Sequence, residues 1–133
     1  MTELSMQTSL VYSAVLTLVM VLIAGVGKGQ YWTMSGLIFG AGNRDNYPEQ
    51  VPWAGRADRA AKNMMESMLI FVSLVAAAQG MGVSNDATTL GATLFFWARL
   101  VYFPVYVAGI EWVRTGVWAV GLVGLVIIML ELI

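Results

Sequence analysis

The sequence contains no cysteine and no histidine, and only 11% of its 133 residues are charged. The missing cysteine excludes disulfides and a thiol nucleophile from the chain itself, and the missing histidine excludes an imidazole base. Zinc sites built from Cys and His ligands are excluded for the same reason, and we expect no metal site. The net charge of −1 provides no basic footprint for nucleic acid. Any chemistry must therefore use Arg, Lys, Tyr, carboxylate, amide or hydroxyl groups, or a thiol brought by a ligand.

Hydrophobic residues, in contrast, make up 59% of the chain, and the mean hydropathy is +0.75. Soluble domains carry about 25% charged residues, so this composition indicates a membrane protein. Several apolar runs reach the roughly 20 helical residues that span a hydrocarbon core. We expect an all-α, integral membrane four-helix bundle with up-down-up-down topology, in a single domain over residues 1–133. The expected transmembrane helices are about 8–29, 54–79, 88–109 and 113–132.

Two features interrupt the apolar pattern. Residues 30–55 are rich in Gly, Asn and Pro, which is typical of a surface connection. The apolar stretch 34–39 inside this connection either continues the first helix or lies at the membrane interface. In the third helix, Pro104 lacks an N–H, so we expect it to free the carbonyl of Leu100 and to kink the helix there.

Basic residues are distributed unevenly between the two ends of the expected bundle. Those in or beside the first and third connections are Lys28, Arg44, Arg56, Arg59, Lys62 and Arg114. The N-terminus, the second connection and the C-terminus carry no Lys or Arg, and their acidic residues are Glu3, Asp86 and Glu131. Because cytoplasmic loops are enriched in Lys and Arg, we expect the two basic connections to face the cytoplasm and both termini to face outward.

A polar face runs along the second expected helix. Its four residues, Arg56, Arg59, Asn63 and Glu66, have offsets of 0, 3, 7 and 10, which place them on one side of a helix. Such a face cannot point at lipid, because a charged group at membrane depth costs ~2.5 kcal/mol or far more. We therefore expect this face to turn inward and to pair or bind a ligand.

A second polar face is predicted on the third helix, where Arg99, Tyr102 and Tyr106 have offsets of 0, 3 and 7. Arg99 lies far from both helix ends, so it must snorkel or find a carboxylate, and Glu66 at a similar depth is the expected partner. The two polar faces have two interpretations. They either clamp the helices together or form a ligand site, and the number of polar groups favours the ligand site.

These residues resemble the MAPEG family, the membrane-associated proteins in eicosanoid and glutathione metabolism. The resemblance covers nearly the whole chain and extends to bacterial members, which implies a bacterial inner membrane; together with the distribution of basic residues, this predicts both termini on the periplasmic side. It also implies a homotrimer that binds glutathione between neighbouring subunits near the cytoplasmic side. The matching residues are Arg59, Asn63 and Glu66 in the second helix, Arg99, Tyr102 and Tyr106 in the third, and Arg114 with Thr115 in the fourth.

The resemblance implies roles for individual residues. The implied glutathione-binding residues are Arg59, Lys62, Asn63, Glu66, Arg99, Tyr102 and Tyr106. Arg114 is the implied catalytic cation, because a nearby cation lowers the pKa of a thiol from about 8.5. Tyr106 or Thr115 would donate a hydrogen bond to the resulting thiolate. Two positions depart from the pattern of some members: Lys62 stands in place of Arg, and Trp118 in place of Tyr.

We therefore expect a microsomal-type glutathione transferase or peroxidase that acts on lipophilic electrophiles or lipid hydroperoxides in the bilayer. Glutathione would be its co-substrate, and membrane lipid would surround it. The alternative is a non-catalytic membrane subunit of a larger complex, with its pocket filled by lipid or a partner. A transporter or channel is less favoured, because the sequence contains no inverted repeat.

Overall fold

The computed structural model describes residues 5–42 and 51–133, and in those ranges all regular secondary structure is helical. The helices are α1 (Met6–Gly29), α2 (Met34–Ala41), α3 (Pro52–Met81), α4 (Asp86–Ala108) and α5 (Glu111–Leu132). By length and apolar composition, α1, α3, α4 and α5 can each cross a membrane. This confirms the predicted all-α, four-helix membrane fold. Glu3 and Arg44, which contributed to the predicted charge asymmetry, lie outside the described residues.

Helix α2 is a separate short helix. Gln30 adopts a left-handed backbone (φ 52°), which ends α1 before the apolar stretch begins. Four residues later α2 starts, and it packs so closely on the end of α1 that a side chain at Gly36 would collide with the carbonyl oxygen of Gln30. The apolar stretch therefore does not continue the first helix.

Helices α4 and α5 form a close pair. The connection between α3 and α4 ends in a capping box, in which the Asn85 side chain accepts from the N–H of Thr88 at 2.9 Å and the Thr88 hydroxyl accepts from the N–H of Asn85 at 3.0 Å. Further along, Gly91 meets Gly124, and a Cβ on Gly91 would lie 2.6 Å from the Gly124 carbonyl oxygen. The absence of side chains at these two positions lets the helix backbones approach.

The core lies where α1, α3 and α4 meet. Phe71 of α3 and Phe95 of α4 are buried against each other, with ring centroids 4.3 Å apart. Met20 of α1 and Ile128 of α5 are fully buried around them. Large apolar side chains on the outside, such as Leu69 at 73% exposure, present the surface expected for contact with lipid.

Contacts between the helices identify the two ends of the bundle. At one end, Trp53 of α3 touches Gly27 of α1, and Arg56 of α3 reaches the end of α4. Only two residues separate the end of α4 from the start of α5, so α5 begins at the same end. We call this the basic end. At the opposite end, the Asn85 amide donates to the Glu131 carboxylate at 2.9 Å.

Candidate functional site

The most deeply buried charge is Arg99, on the inner side of α4 with an exposure of 2%. Its Nη2 donates a hydrogen bond to Oδ1 of Asn63 on α3. Its Nε lies 3.4 Å from the sulfur of Met64, which is a weak acceptor. The guanidinium carbon stands 4.4 Å from the centroid of the Tyr102 ring, in cation–π geometry. All of these contacts are neutral.

No carboxylate within the described residues comes within ion-pair distance of Arg99. The predicted pairing with Glu66 is therefore wrong. Glu66 follows Asn63 by three residues on α3, and its side chain is exposed on the outside of the helix beside Lys62 and Leu69. A buried cation without a counterion is costly, because its neighbours must replace both its hydration and a compensating charge.

Aromatic rings connect Arg99 to a second arginine. The Tyr102 and Tyr106 rings meet edge to face, with centroids 5.4 Å apart. The guanidinium carbon of Arg114, in the first turn of α5, lies 4.7 Å from the centroid of the Tyr106 ring. In the part of the chain that the structure describes, the Arg114 guanidinium has this ring contact and no hydrogen bond to another side chain or carbonyl. The N–H groups of Arg114 thus remain available to an anion.

A cavity of about 200 Å³ opens between α3, α4 and α5. Its lining is Asn63, Tyr102, Arg114, Thr115 and Trp118. Four of these are residues that the resemblance implied, and the fifth is Trp118, where the sequence departs from some members. Pockets for drug-sized ligands usually occupy roughly 300–1,000 Å³, so a single chain provides only part of a pocket for a tripeptide.

Three predicted residues, Arg59, Lys62 and Glu66, lie on the outside of α3 and are not part of this lining. Arg59 is exposed. Lys62 forms an ion pair with Asp58 one turn earlier, at 3.1 Å and with 60% of the Lys62 side chain exposed. Such pairs contribute only ~0.3–0.5 kcal/mol, so a ligand carboxylate can displace Asp58. Lys62 and Glu66 line a second, largely apolar cavity of about 410 Å³ with Met65 and Leu69.

Two contacts of the site could not be read from the sequence. Helical spacing placed Arg56 on the same face as the ligand candidates, yet its Nε donates to the carbonyl oxygen of Val107 at 2.8 Å. The contact between Met64 and Arg99 has no sequence signal, because a methionine in an apolar helix is most often part of the core.

Comparison with known proteins places this arrangement in a family. A family model described as the MAPEG family matches residues 6–133, which include all the described helices. No curated protein and no solved structure matches the chain. The matched region contains the buried Arg99, the Tyr102 and Tyr106 pair and Arg114, the residues on which the resemblance rested. The chain therefore belongs to the MAPEG family and is an integral membrane protein.

Proposed function

We propose that this protein binds glutathione and uses its thiolate to attack lipophilic electrophiles or to reduce lipid hydroperoxides. The MAPEG family includes glutathione-dependent transferases and peroxidases as well as members without catalytic activity. The observation that carries the proposal is the buried guanidinium of Arg99, which has only neutral partners in the described chain. A ligand carboxylate would supply the missing negative charge.

Glutathione fits this requirement because it brings two carboxylates and a thiol. Hydrogen bonds to charged groups contribute about 1.5–3 kcal/mol, so a carboxylate that reaches Arg99 gains substantially on binding. Asn63, which lines the cavity and already contacts Arg99, would orient that carboxylate. The ligand also supplies the sulfur nucleophile that a chain without cysteine lacks.

The thiol would lie beside Arg114, at the end of the cavity that Thr115 also lines. The Arg114 cation favours the thiolate, so the thiol proton leaves to water. In conjugation, the thiolate forms a bond to the electrophilic carbon, and the leaving group departs with its electron pair. In peroxide reduction, the thiolate attacks one peroxide oxygen and the O–O bond breaks, so that the other oxygen leaves as an alkoxide, which takes a proton and becomes the alcohol. The sulfenic acid formed on glutathione then reacts with a second glutathione to give the disulfide and water. Tyr106 or Thr115 would donate a hydrogen bond to the sulfur.

The pocket is proposed to be completed by a second subunit of a homotrimer. Two observations support this arrangement. The cavity of one chain is small for a tripeptide, and the outer face of α3 carries Arg59, Lys62 and Glu66 beside a separate cavity. Glu66 follows the first residue of α3 by fourteen positions, about 20 Å along the helix, where an uncovered carboxylate in lipid would be costly. A neighbouring chain that packs there would cover Glu66 and bring the two half-pockets together.

The basic end of the bundle is proposed to face the cytoplasm, with both termini in the periplasm of a bacterial inner membrane. The cations Lys28, Arg56 and Arg114 at this end support the orientation through the enrichment of Lys and Arg in cytoplasmic loops. Glutathione would then enter from the cytoplasm, and the lipophilic substrate from the bilayer.

The direct test is the ultraviolet absorbance of the thiolate when glutathione is mixed with purified protein in detergent. We expect wild type to bind glutathione and form the thiolate, and Arg114→Ala to bind it without forming the thiolate. Turnover should follow with an aromatic halide or a lipid hydroperoxide. Wild type without binding and without thiolate would refute the proposal. Co-purification with other membrane proteins and no glutathione-dependent turnover would instead favour a non-catalytic subunit.

A further inference from the structure

Helix α4 ends in a Schellman motif, which satisfies two of its last carbonyl groups. Gly109 adopts a left-handed backbone with φ +79°, and its N–H donates to the carbonyl oxygen of Tyr106 at 3.0 Å. The N–H of Ile110 donates to the carbonyl oxygen of Val105 at 3.2 Å. The next carbonyl, that of Val107, lies beyond the reach of these two amides and needs a donor from elsewhere.

Arg56 provides this donor. Its Nε donates to the Val107 carbonyl oxygen at 2.8 Å, across 51 residues of sequence. Its guanidinium also lies over Gly109, where an added Cβ would be 3.5 Å from both Cζ and Nε. A cation at this position also interacts favourably with the negative end of the α4 dipole. Arg56 therefore attaches the start of α3 to the end of α4.

The cap lies next to the residues proposed to act on the thiol. Only Gly109 and Ile110 separate α4 from α5, and the N–H of Arg114 donates to the Ile110 carbonyl at 3.2 Å. Tyr106 is in the last turn of α4, and its ring contacts the Arg114 guanidinium. The position of Arg114 relative to Tyr106 thus depends on the geometry of this two-residue corner.

We propose that Arg56 is a positioning residue, which holds the corner between α4 and α5 so that Arg114 and Tyr106 meet at the sulfur site. The inference rests on the proposed function. Arg59 and Asn63 share the helical face of Arg56, but the role proposed for Arg56 differs from theirs. The Nε of Arg56 donates to a backbone carbonyl, and Arg56 is not part of the described lining of the 200 Å³ cavity.

The first test replaces Arg56 by Met, which keeps much of the side-chain length and removes the donor and the charge. Two quantities are measured: the Kd for glutathione, and the pH midpoint of thiolate formation by bound glutathione. We expect Arg56→Met to raise the midpoint toward the value of about 8.5 for a free thiol, with little change in Kd. Arg56→Lys keeps the charge and a donor, so its midpoint should lie between those of wild type and Arg56→Met. A large rise in Kd with an unchanged midpoint would make Arg56 a ligand and would overturn the inference.

A second pair of variants changes the glycine of the corner, with the glycine that ends α3 as its control. Gly82 ends α3 in the same motif, with φ +69° and the N–H of Val83 donating to the Ala78 carbonyl at 2.9 Å, but an added Cβ there meets nothing within 4 Å. Gly109→Ala and Gly82→Ala therefore introduce similar backbone strain, because both positions have a positive φ, but only at Gly109 does the strain fall on the corner that Arg56 holds. Both should lower the Tm by similar amounts, and only Gly109→Ala should raise the thiolate midpoint. Equal midpoints in the two variants would contradict the inference.

A measurement without glutathione tests the corner itself. Amide hydrogen exchange across residues 107–114 should be faster in Arg56→Met than in wild type, whereas exchange at the α3–α4 connection should not change. Two outcomes would overturn the positioning role and leave the proposed function standing. One is unchanged exchange at the corner in Arg56→Met; the other is an unchanged thiolate midpoint in Arg56→Met when wild type forms the thiolate normally. Wild type that forms no thiolate would refute the proposed function and the positioning role with it.

Discussion

Replacing Arg99 by Met should separate ligand binding from helix packing, because the two roles predict opposite results. If Arg99 serves a ligand, its burial without a counterion destabilises the unliganded protein, and Met should remove this destabilisation. If Arg99 serves only to clamp α3 to α4, Met should weaken the bundle. Met is suitable because it is unbranched, flexible and apolar, so it can occupy the space of the arginine stem.

The expected change in stability follows from the contacts of Arg99. The variant loses the hydrogen bond to Asn63, about 1.5–3 kcal/mol, and the cation–π contact with Tyr102, about 2 kcal/mol. It recovers the desolvation penalty of a buried ion, which is several kcal/mol. The free energy of unfolding without ligand should therefore stay within about 1 kcal/mol of wild type or rise. Glutathione should bind about 10- to 150-fold more weakly, since the lost charge-assisted contact is worth about 1.5–3 kcal/mol.

Two control variants complete the experiment, with denaturant unfolding in micelles and calorimetric titration of glutathione as the assays. Asn63→Leu leaves Arg99 buried without its oxygen partner and should destabilise the protein by about 3 kcal/mol. The double variant Arg99→Met with Asn63→Leu removes both partners and should recover most of that loss. If Arg99→Met lowers the stability by more than about 3 kcal/mol and glutathione affinity does not change, Arg99 is a clamp and the ligand-site reasoning fails.

Three further predictions concern packing, specificity and orientation. Gly124→Ala would place a Cβ 2.5 Å from the Gly91 carbonyl oxygen and should lower the free energy of unfolding by about 1–3 kcal/mol. Gly116→Ala on the same helix is the control, because a Cβ there meets nothing within 4 Å, and equal Tm values for the two variants would contradict the prediction. Trp118→Ala should enlarge the cavity and raise kcat/KM for a bulky aromatic halide relative to a small one, and an unchanged ratio would show that Trp118 does not limit the substrate. A phosphatase fused after Ile133 should be active in the periplasm, and a C-terminal reporter active only in the cytoplasm would reverse the proposed orientation.

The fold was predictable because lipid permits few alternatives. A chain in the hydrocarbon core must satisfy its backbone groups internally, so four long apolar runs imply four helices. The separate helix α2 was harder to predict, because an apolar stretch of six residues fits either a continued helix or a new one. What separates them is the left-handed backbone of Gln30, and a positive φ at a residue other than glycine has no reliable sequence signal.

The inward placement of Arg99 was predictable, but its partner was not. Helical periodicity indicates which residues share a face, and both Asn63 and Glu66 fulfilled that condition on α3. The two positions differ by three residues, about 60° around the helix and 4.5 Å along it, which decides whether a side chain reaches α4 or the outside. That difference depends on the rotation of α3 against its neighbours, which is set by small core residues such as Ala57 and Ala61.

For the same reason, helical spacing could not show which arginine binds an oxygen of the chain and which is open to a ligand. Arg56 and Arg99 each donate a hydrogen bond to an oxygen of the chain, Val107 O and Asn63 Oδ1 respectively. Within the described residues the Arg114 guanidinium lies over the face of the Tyr106 ring and makes no hydrogen bond to another side chain or carbonyl, and a ring face leaves the N–H edges of a guanidinium free. An anionic sulfur can thus approach Arg114 at any of its N–H groups, whereas the Nε of Arg56 and the Nε and Nη2 of Arg99 already contact atoms of the chain. This difference supports Arg114 as the cation beside the sulfur and Arg56 as the residue that holds the corner between α4 and α5, while the missing counterion of Arg99 supports that residue as the site for a carboxylate.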